Sequence, residues 1–108
     1  MRTASVIAAA SLLWLTQSAA ALTGREALAV CQMPTEGLWC TFLVTGYFEM
    51  SGAMVLRGGP VPHCNPEITV GIAKEVFIAY LRNRPDLLDK GAAALYLDSV
   101  ERAFPCKR

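Results

Sequence analysis

Four cysteines and a single histidine are the residues of this 108-residue chain whose types could support chemistry. Cysteines can bind metals, act as nucleophiles or form disulfides, and a histidine can serve as a ligand or a general base. The cysteines are Cys31, Cys40, Cys64 and Cys106, and the histidine is His63, directly before Cys64. The spacing of these five side chains decides which chemistry the chain can support.

Metal binding and nucleophilic catalysis both fit this spacing poorly. No C-x-x-C pair occurs, and adjacent residues such as His63 and Cys64 do not easily face one tetrahedral ion. The same adjacency argues against a catalytic Cys–His pair, because neighbouring residues rarely direct both side chains at one point. Haem attachment would need C-x-x-C-H, which the sequence lacks. We therefore expect no metal, no cofactor and no enzymatic activity.

The first 21 residues, MRTASVIAAASLLWLTQSAAA, have the pattern of a secretory signal peptide. Arg2 gives a short basic start, an apolar run follows through Leu15, and small residues stand at Ala19 and Ala21. The apolar run is about a dozen residues long, whereas a membrane span needs roughly 20. We predict cleavage after Ala21 and export of residues 22–108 as one domain. An uncleaved membrane anchor is the alternative.

The charge balance argues against nucleic-acid binding. The chain has 10 basic and 9 acidic side chains, and removal of Arg2 with the signal peptide makes the two counts equal. Proteins that bind nucleic acids usually carry a basic stripe, whereas here charges of both signs alternate between residues 74 and 90.

In an exported chain, an even number of cysteines indicates disulfides, and four cysteines allow three pairings. A domain of this size buries only about 60% of its unfolded surface, so its hydrophobic core alone gives a thin margin of stability. We therefore expect both disulfides to contribute to the stability of the fold.

Capping signals and periodicity predict two helices in the first half of the domain. T-x-x-E at Thr23–Glu26 is a capping-box pattern that should open a helix ending at Cys31. A loop at 32–37 follows, and a second helix should begin between 38 and 40. β-branched residues at 44–45 leave a strand as the alternative. In the second helix, Gly46 would permit close approach of a neighbouring helix. The apolar face of this helix would be Trp39, Phe42, Leu43, Gly46, Tyr47, Met50 and Met54.

The glycines and prolines of the segment 57–66 predict a loop before two further helices. Thr69 is the expected N-cap of the third helix, which should end before Pro85. Asp86 should cap a fourth helix that runs to about Phe104. Lys74, outside the apolar stripe, is expected in solvent. The inward residues would be Val70, Ala73, Val76, Phe77, Tyr80 and Leu81, then Leu88, Ala92, Leu95, Tyr96, Ser99, Val100 and Ala103.

The aromatic residues at helical spacing are more typical of a core than of a ligand-binding cluster. They are Trp39, Phe42, Tyr47, Phe77 and Tyr80. The predicted fold is all-α, a small disulfide-crosslinked bundle of about four helices after a cleaved signal peptide.

An up-and-down bundle with short connections would favour one of the three disulfide pairings. The first helix would end, and the second begin, at one pole, while the third would begin, and the fourth end, at the other. Cys31 would then pair with Cys40, and Cys64 with Cys106. The other pairings would mostly bridge the length of a helix, well beyond the usual Cα separation of about 4.4–6.8 Å.

The second half of the chain resembles the Rap1a/Tai family of type VI secretion immunity proteins. In the first half, Cys40 and Gly46 fit that family's Cys and Gly-Tyr-x-x-Gly pattern, but Leu43 stands where an aromatic residue is expected. The residues that carry the resemblance are Cys64, Pro66, Thr69, Tyr80 with Leu81, Pro85 with Asp86, Ala92–Ala94 and Ala103–Cys106.

The resemblance implies a periplasmic protein that binds and blocks a toxic effector, often a peptidoglycan amidase. An inhibitor of this kind works by occupying a cleft and needs no catalytic residues. The candidate protrusions are the loop at 55–63 and the turn at 82–86, and a homodimer is also considered. The candidate partner-binding residues are Arg57, His63, Arg82, Arg84 and Asp86.

A periplasmic acid-stress chaperone of the HdeA type is the alternative function, because such proteins are similar in size, helicity and disulfide use. A chaperone of that type should expose apolar surface and loosen at low pH. An immunity protein should instead bind one partner tightly near neutrality.

Overall fold

The computed structural model describes residues 22–33, 37–64 and 67–106. The predicted signal peptide at 1–21 lies outside the described residues. The described part contains four α-helices, one 3-10 turn and no strand, which confirms the predicted all-α fold. The helices are α1 (Gly24–Cys31), α2 (Leu38–Leu56), α3 (Val70–Asn83) and α4 (Ala92–Ala103), and the 3-10 turn is Pro85–Leu87.

Side-chain caps fix the starts of α1 and α3, as the sequence predicts. The hydroxyl of Thr23 accepts a hydrogen bond from the peptide N–H of Glu26 at 3.2 Å. The Glu26 carboxylate accepts one from the Thr23 N–H at 3.2 Å, which completes the capping box. The Thr69 hydroxyl accepts from the N–H of Ile72, also at 3.2 Å. Helix α3 ends at Asn83, before Pro85, as predicted.

The start of α4 differs from the prediction. Asp86 does not cap an α-helix, because it lies in the 3-10 turn and α4 begins only after Gly91. The reason is tertiary: the segment 22–25 forms backbone hydrogen bonds with 88–92. The N–H of Gly24 donates to Lys90 O at 2.9 Å, and that of Ala92 donates to Leu22 O at 2.7 Å. Residues 88–91 could not form these bonds as part of a helix.

The core lies around α3 and α4, and their inward faces are largely as predicted. Three aromatic rings form its centre: the ring centroids of Phe77 and Tyr96 are 5.7 Å apart, and Tyr47 packs against both at 6.1 and 5.5 Å. Ala103 is exposed, so the predicted stripe on α4 ends at Val100. The buried residues of these two helices are Ala73, Phe77, Leu81, Ala92, Leu95, Tyr96, Ser99 and Val100.

The predicted inward face of α2 is only partly correct: Leu43 and Tyr47 pack against the core, but the other side chains predicted to be apolar contacts do not. Trp39 and Phe42 are 57% and 59% exposed, so they are not core residues. Met50 and Met54 are also exposed. Helix α2 carries only one charged residue, Glu49, and is apolar on nearly every face, so periodicity could not select the packed side. The buried residues of α2 are Cys40, Val44 and Ser51.

The close helix approach also occurs at a different glycine from the one predicted. An added Cβ at Gly46 would meet nothing within 4 Å, whereas one at Gly24 would lie 2.5 Å from Leu95 Cδ1. The strand alternative for 44–45 is wrong as well, because the Thr45 hydroxyl donates to the carbonyl of Thr41 within the helix at 2.6 Å.

The structure confirms the favoured disulfide pairing. Cys31 and Cys40 are joined with a Cα separation of 4.6 Å, and Cys64 and Cys106 with one of 4.9 Å.

The connection from α2 to α3 differs from the expected up-and-down path. Lys74, near the start of α3, donates to the hydroxyl of Thr41, near the start of α2, at 3.1 Å. A short connection would instead place the start of α3 beside the end of α2. The described residues 60–63 of this connection accordingly lie back along α2, beside Phe48 and Ser51. The same bond leaves Lys74 half-buried, contrary to the prediction that it lies in solvent.

Candidate partner-binding surfaces

The first candidate surface is the predicted loop at 55–63. Helix α2 extends through Leu56, so the loop begins at 57, and it starts with a glycine-dependent turn. The N–H of Arg57 donates to the carbonyl of Ala53 at 3.2 Å, which ends α2. Gly58 then adopts a φ of 85°, a left-handed conformation that favours glycine. The N–H of Gly59 returns to the carbonyl of Met54 at 2.8 Å. This turn sends the chain back over the end of α2.

Two surface hollows border the rest of the loop. One, of about 140 Å³, lies between residues 60–62 of the loop and side chains of α2 and α4. The other, of about 250 Å³, lies between residues 61–63 and α2. The helix residues that line them are Phe48, Ser51, Gly52, Met54, Val55, Leu56, Leu97 and Glu101. The loop is therefore loosely packed against the helices.

The loop presents a different set of side chains from the one predicted. Arg57 is exposed, as a partner-binding residue must be. His63 is half-buried, and its Nδ1 is buried without a partner among the described residues. The most prominent apolar side chains are those of Leu56, 89% exposed, and Val61, 56% exposed. Sequence reasoning missed both, since an isolated apolar residue gives no periodic signal.

The second candidate surface is the turn at 82–86. Arg82 is exposed in the last turn of α3. Arg84 donates through Nε and Nη2 to the two carboxylate oxygens of Asp86 at 3.2 and 3.1 Å. This hydrogen bonding lowers the pKa of Asp86 and raises that of Arg84. The turn therefore presents an exposed, bidentate ion pair beside the exposed guanidinium of Arg82.

A polar cluster that the sequence analysis missed borders this turn. The Tyr80 hydroxyl donates to the carboxylate of Asp98, and Arg102 Nε donates to the same carboxylate at 2.9 Å. The hydrogen bond from Tyr80, followed by that from Arg102, lowers the pKa of Asp98. Burial and the bond to Asp98 raise the pKa of Tyr80. The i, i+4 spacing of Asp98 and Arg102 could have predicted their ion pair from the sequence.

A third surface is apolar and was also missed. It borders a shallow hollow of about 500 Å³ beside the disulfide of Cys31 and Cys40. The rings of Trp39 and Phe42 meet edge to face there, with centroids 6.1 Å apart. We call this surface the apolar face; its residues are Leu22, Val30, Met33, Trp39, Phe42 and Leu43.

The described residues also bear on catalysis, metal binding and membrane insertion. Cys64 is held in a disulfide and so cannot act as a nucleophile beside His63. Within residues 22–33, 37–64 and 67–106, no group of three or more His, Cys, Asp or Glu side chains could hold a metal ion. In the same ranges, no helix has the length and apolar character to cross a membrane.

Comparison with known proteins gives one match. The family described as Rap1a immunity proteins matches residues 15–106, which is most of the chain. No curated protein and no solved structure matches it.

Proposed function

The chain belongs to the family of Rap1a immunity proteins, and we propose that it binds and inhibits a type VI secretion effector that is a peptidoglycan amidase. Membership of the family implies immunity to a type VI effector. We further propose export to the periplasm, with cleavage after Ala21, and inhibition by binding without catalysis. The observation that carries the proposal is the family match over residues 15–106.

The arrangement of the surfaces supports inhibition by occupation of a cleft. The exposed apolar side chains of Leu56, at the end of α2, and Val61, in the loop at 57–63, accompany the cation of Arg57. The turn at 82–86 carries charges whose geometry is fixed before binding. Interfaces commonly combine an apolar centre with a polar rim, and pre-organised side chains lose less entropy on binding. We propose that the loop supplies the centre of the contact and the turn supplies part of its rim.

The test of function is a protection experiment in the periplasm. Each candidate toxin from the neighbouring genes is expressed there alone, with the full-length chain, or with the chain lacking residues 1–21. Protection that requires export supports periplasmic immunity. If every neighbouring toxin kills regardless, while the protein prevents acid-induced aggregation of unrelated periplasmic proteins, the HdeA-type chaperone function replaces this proposal.

The contact residues are tested by matched charge reversals in a binding assay with the purified toxin. Arg57→Glu and Arg82→Glu should weaken binding if these surfaces meet the toxin. Lys90→Glu is the control, since Lys90 is exposed but lies outside both candidate surfaces. His63→Ala should leave the fold intact and change the affinity only if the loop enters the cleft. Equal affinities for all four variants would place the contact elsewhere.

We also propose that the protein forms a homodimer through the apolar face. The residues that border it carry no charge, and its two aromatic side chains are more than half exposed. Sedimentation of the purified protein and of Trp39→Asp should then give a dimer and a monomer, respectively. A monomer for both would contradict this part of the proposal.

A further inference from the structure

The two disulfides lie in different environments. Cys40 is fully buried and its partner Cys31 is half-buried. Cys64 and Cys106 are both exposed. Reduction of a disulfide requires that a thiolate reach one of its sulfur atoms, and exposed disulfides are the labile ones. The core therefore shields one crosslink, whereas the other is open to a reductant.

The exposed disulfide is also one of two anchors of the loop at 57–63. At the beginning of the loop, the N–H groups of Gly58 and Gly59 donate to carbonyls of α2 at 2.9 and 2.8 Å. At its end, the N–H of Cys64 donates to the carbonyl of Phe104 at 3.1 Å, next to the bond with Cys106.

Little else holds the loop between these anchors. Residues 60–63 form no hydrogen bond with any other described residue. They border open surface hollows of about 140 and 250 Å³ that separate part of the loop from the helices. The conformation of the loop therefore depends strongly on whether its far end is crosslinked.

We propose that the disulfide of Cys64 and Cys106 is a redox-labile site on which a dithiol oxidoreductase of the cell envelope acts, and that its oxidation state controls the inhibitory conformation of the loop at 57–63. The control of inhibition rests on the proposed function. The lability of the bond does not.

The exchange is balanced in two steps. A thiolate of the dithiol attacks one sulfur of the bond, forms a mixed disulfide with that cysteine and releases the other as a thiolate. The second thiol of the dithiol loses its proton and displaces the first cysteine. The dithiol leaves as a disulfide, both cysteines end as thiols after protonation, and two electrons have passed to the protein.

The lability is tested on the purified mature protein. The protein is exposed to graded dithiothreitol, quenched with an alkylating agent and mapped by peptide mass spectrometry. We expect Cys64 and Cys106 to be labelled at concentrations at least tenfold lower than those that label Cys31 and Cys40. Labelling of Cys31 and Cys40 first, or of all four together, would overturn the proposal.

The release of the loop is tested by trypsin, which cleaves after the exposed Arg57. Selective reduction should increase the rate of this cleavage at least fivefold, while far-UV circular dichroism shows that the helices remain. Cleavage after Arg82 provides the internal control and should not change. An unchanged rate at Arg57, or an equal increase at both sites, would show that the disulfide does not control this loop in particular.

The effect on inhibition is measured with the purified toxin. Selective reduction should weaken binding at least tenfold, and reoxidation should restore it. The variant C31A/C40A should keep this redox response, whereas C64A/C106A should bind weakly in both conditions. An affinity that does not change on selective reduction would overturn the control of inhibition. If the oxidised protein binds no toxin, the proposed function fails, whereas the order of labelling still decides the lability.

Discussion

At the scale of single residues, Asp98 is the most informative polar side chain. It accepts hydrogen bonds from Tyr80 on α3 and from Arg102 on its own helix. Both donors favour the ionised carboxylate, which is why the pKa of Asp98 is lowered. The cluster therefore links α3 to α4 through an ionised group, and its contribution to stability depends on pH.

The first prediction concerns this pH dependence. Because the pKa of Asp98 is lower in the folded protein, its stabilising contribution is present above the pKa of the unfolded state and is lost as the pH falls through the folded pKa. Asp98→Asn should lower the free energy of unfolding by less than about 1 kcal/mol near pH 7, since the cluster is partly exposed. Denaturant unfolding at several pH values should show the difference vanish in acid. Asp89→Asn, which alters the exposed pair with Arg25, is the control and should change little at any pH.

The second prediction concerns Phe77, whose ring packs against Tyr47 and Tyr96 at the centre of the core. Phe77→Ala should cost about 3–5 kcal/mol, a large part of the stability of a small domain. Glu75→Ala, on the exposed side of the same helix, should stay within about 0.5 kcal/mol. Lys74 is unsuitable as a control because it is half-buried and bonded to Thr41. Thermal melts that shift equally for Phe77→Ala and Glu75→Ala would contradict this packing.

At the scale of elements, the contact of α1 with α4 depends on the absence of a side chain at Gly24. The start of α1 also forms backbone hydrogen bonds with the segment that precedes α4. A Cβ at Gly24 would lie 2.5 Å from Leu95 Cδ1 and 3.4 Å from the Cα of Leu88. The backbone hydrogen bonds hold α1 against this segment, so α1 cannot easily move away to make room for a larger residue at Gly24.

The third prediction compares two glycines. Gly24→Ala should lower the free energy of unfolding by about 1–3 kcal/mol through overpacking. Gly46→Ala should raise it by about 0.5–1 kcal/mol, because Gly46 lies inside α2 with open space around it and alanine is the better helix former. Urea unfolding of both variants checks the opposite signs. A loss of stability at Gly46 would indicate that a partner or a second copy packs closely against it.

At the scale of the whole molecule, the two disulfides close loops of very different length. The bond of Cys31 and Cys40 closes a hairpin of neighbouring helices, with a sequence separation of 9. The bond of Cys64 and Cys106 joins the loop before α3 to the chain after α4, with a separation of 42. The second bond therefore restricts the unfolded chain more strongly.

The fourth prediction follows from this difference. In the chain-entropy model, the longer loop contributes roughly 4 kcal/mol and the shorter one roughly 2.7 kcal/mol. C64A/C106A should therefore be less stable than C31A/C40A in denaturant titrations. Equal losses would show that packing around the buried Cys40, rather than loop entropy, sets the balance.

The sequence by itself determined the features that depend on local interactions. The capping box at Thr23, the N-cap at Thr69 and the end of α3 before Pro85 each require only residues a few positions apart. The stripe on α3 was also readable, because polar residues mark its outer side. The pairing of the cysteines was also predicted correctly, although the up-and-down path from which it was argued differs from the observed one between α2 and α3.

Only the tertiary structure decided the features that depend on distant partners. Helix α2 is apolar nearly all round, so the position of its neighbours, rather than periodicity, set which side was buried and left Trp39 exposed. Backbone hydrogen bonds from residues 22–25 shifted the start of α4 toward the C-terminus. The side chain of Leu95 on α4 occupies the space that a Cβ at Gly24 would need. Of the predicted partner-binding residues, His63 was half-buried by packing that no local pattern encodes.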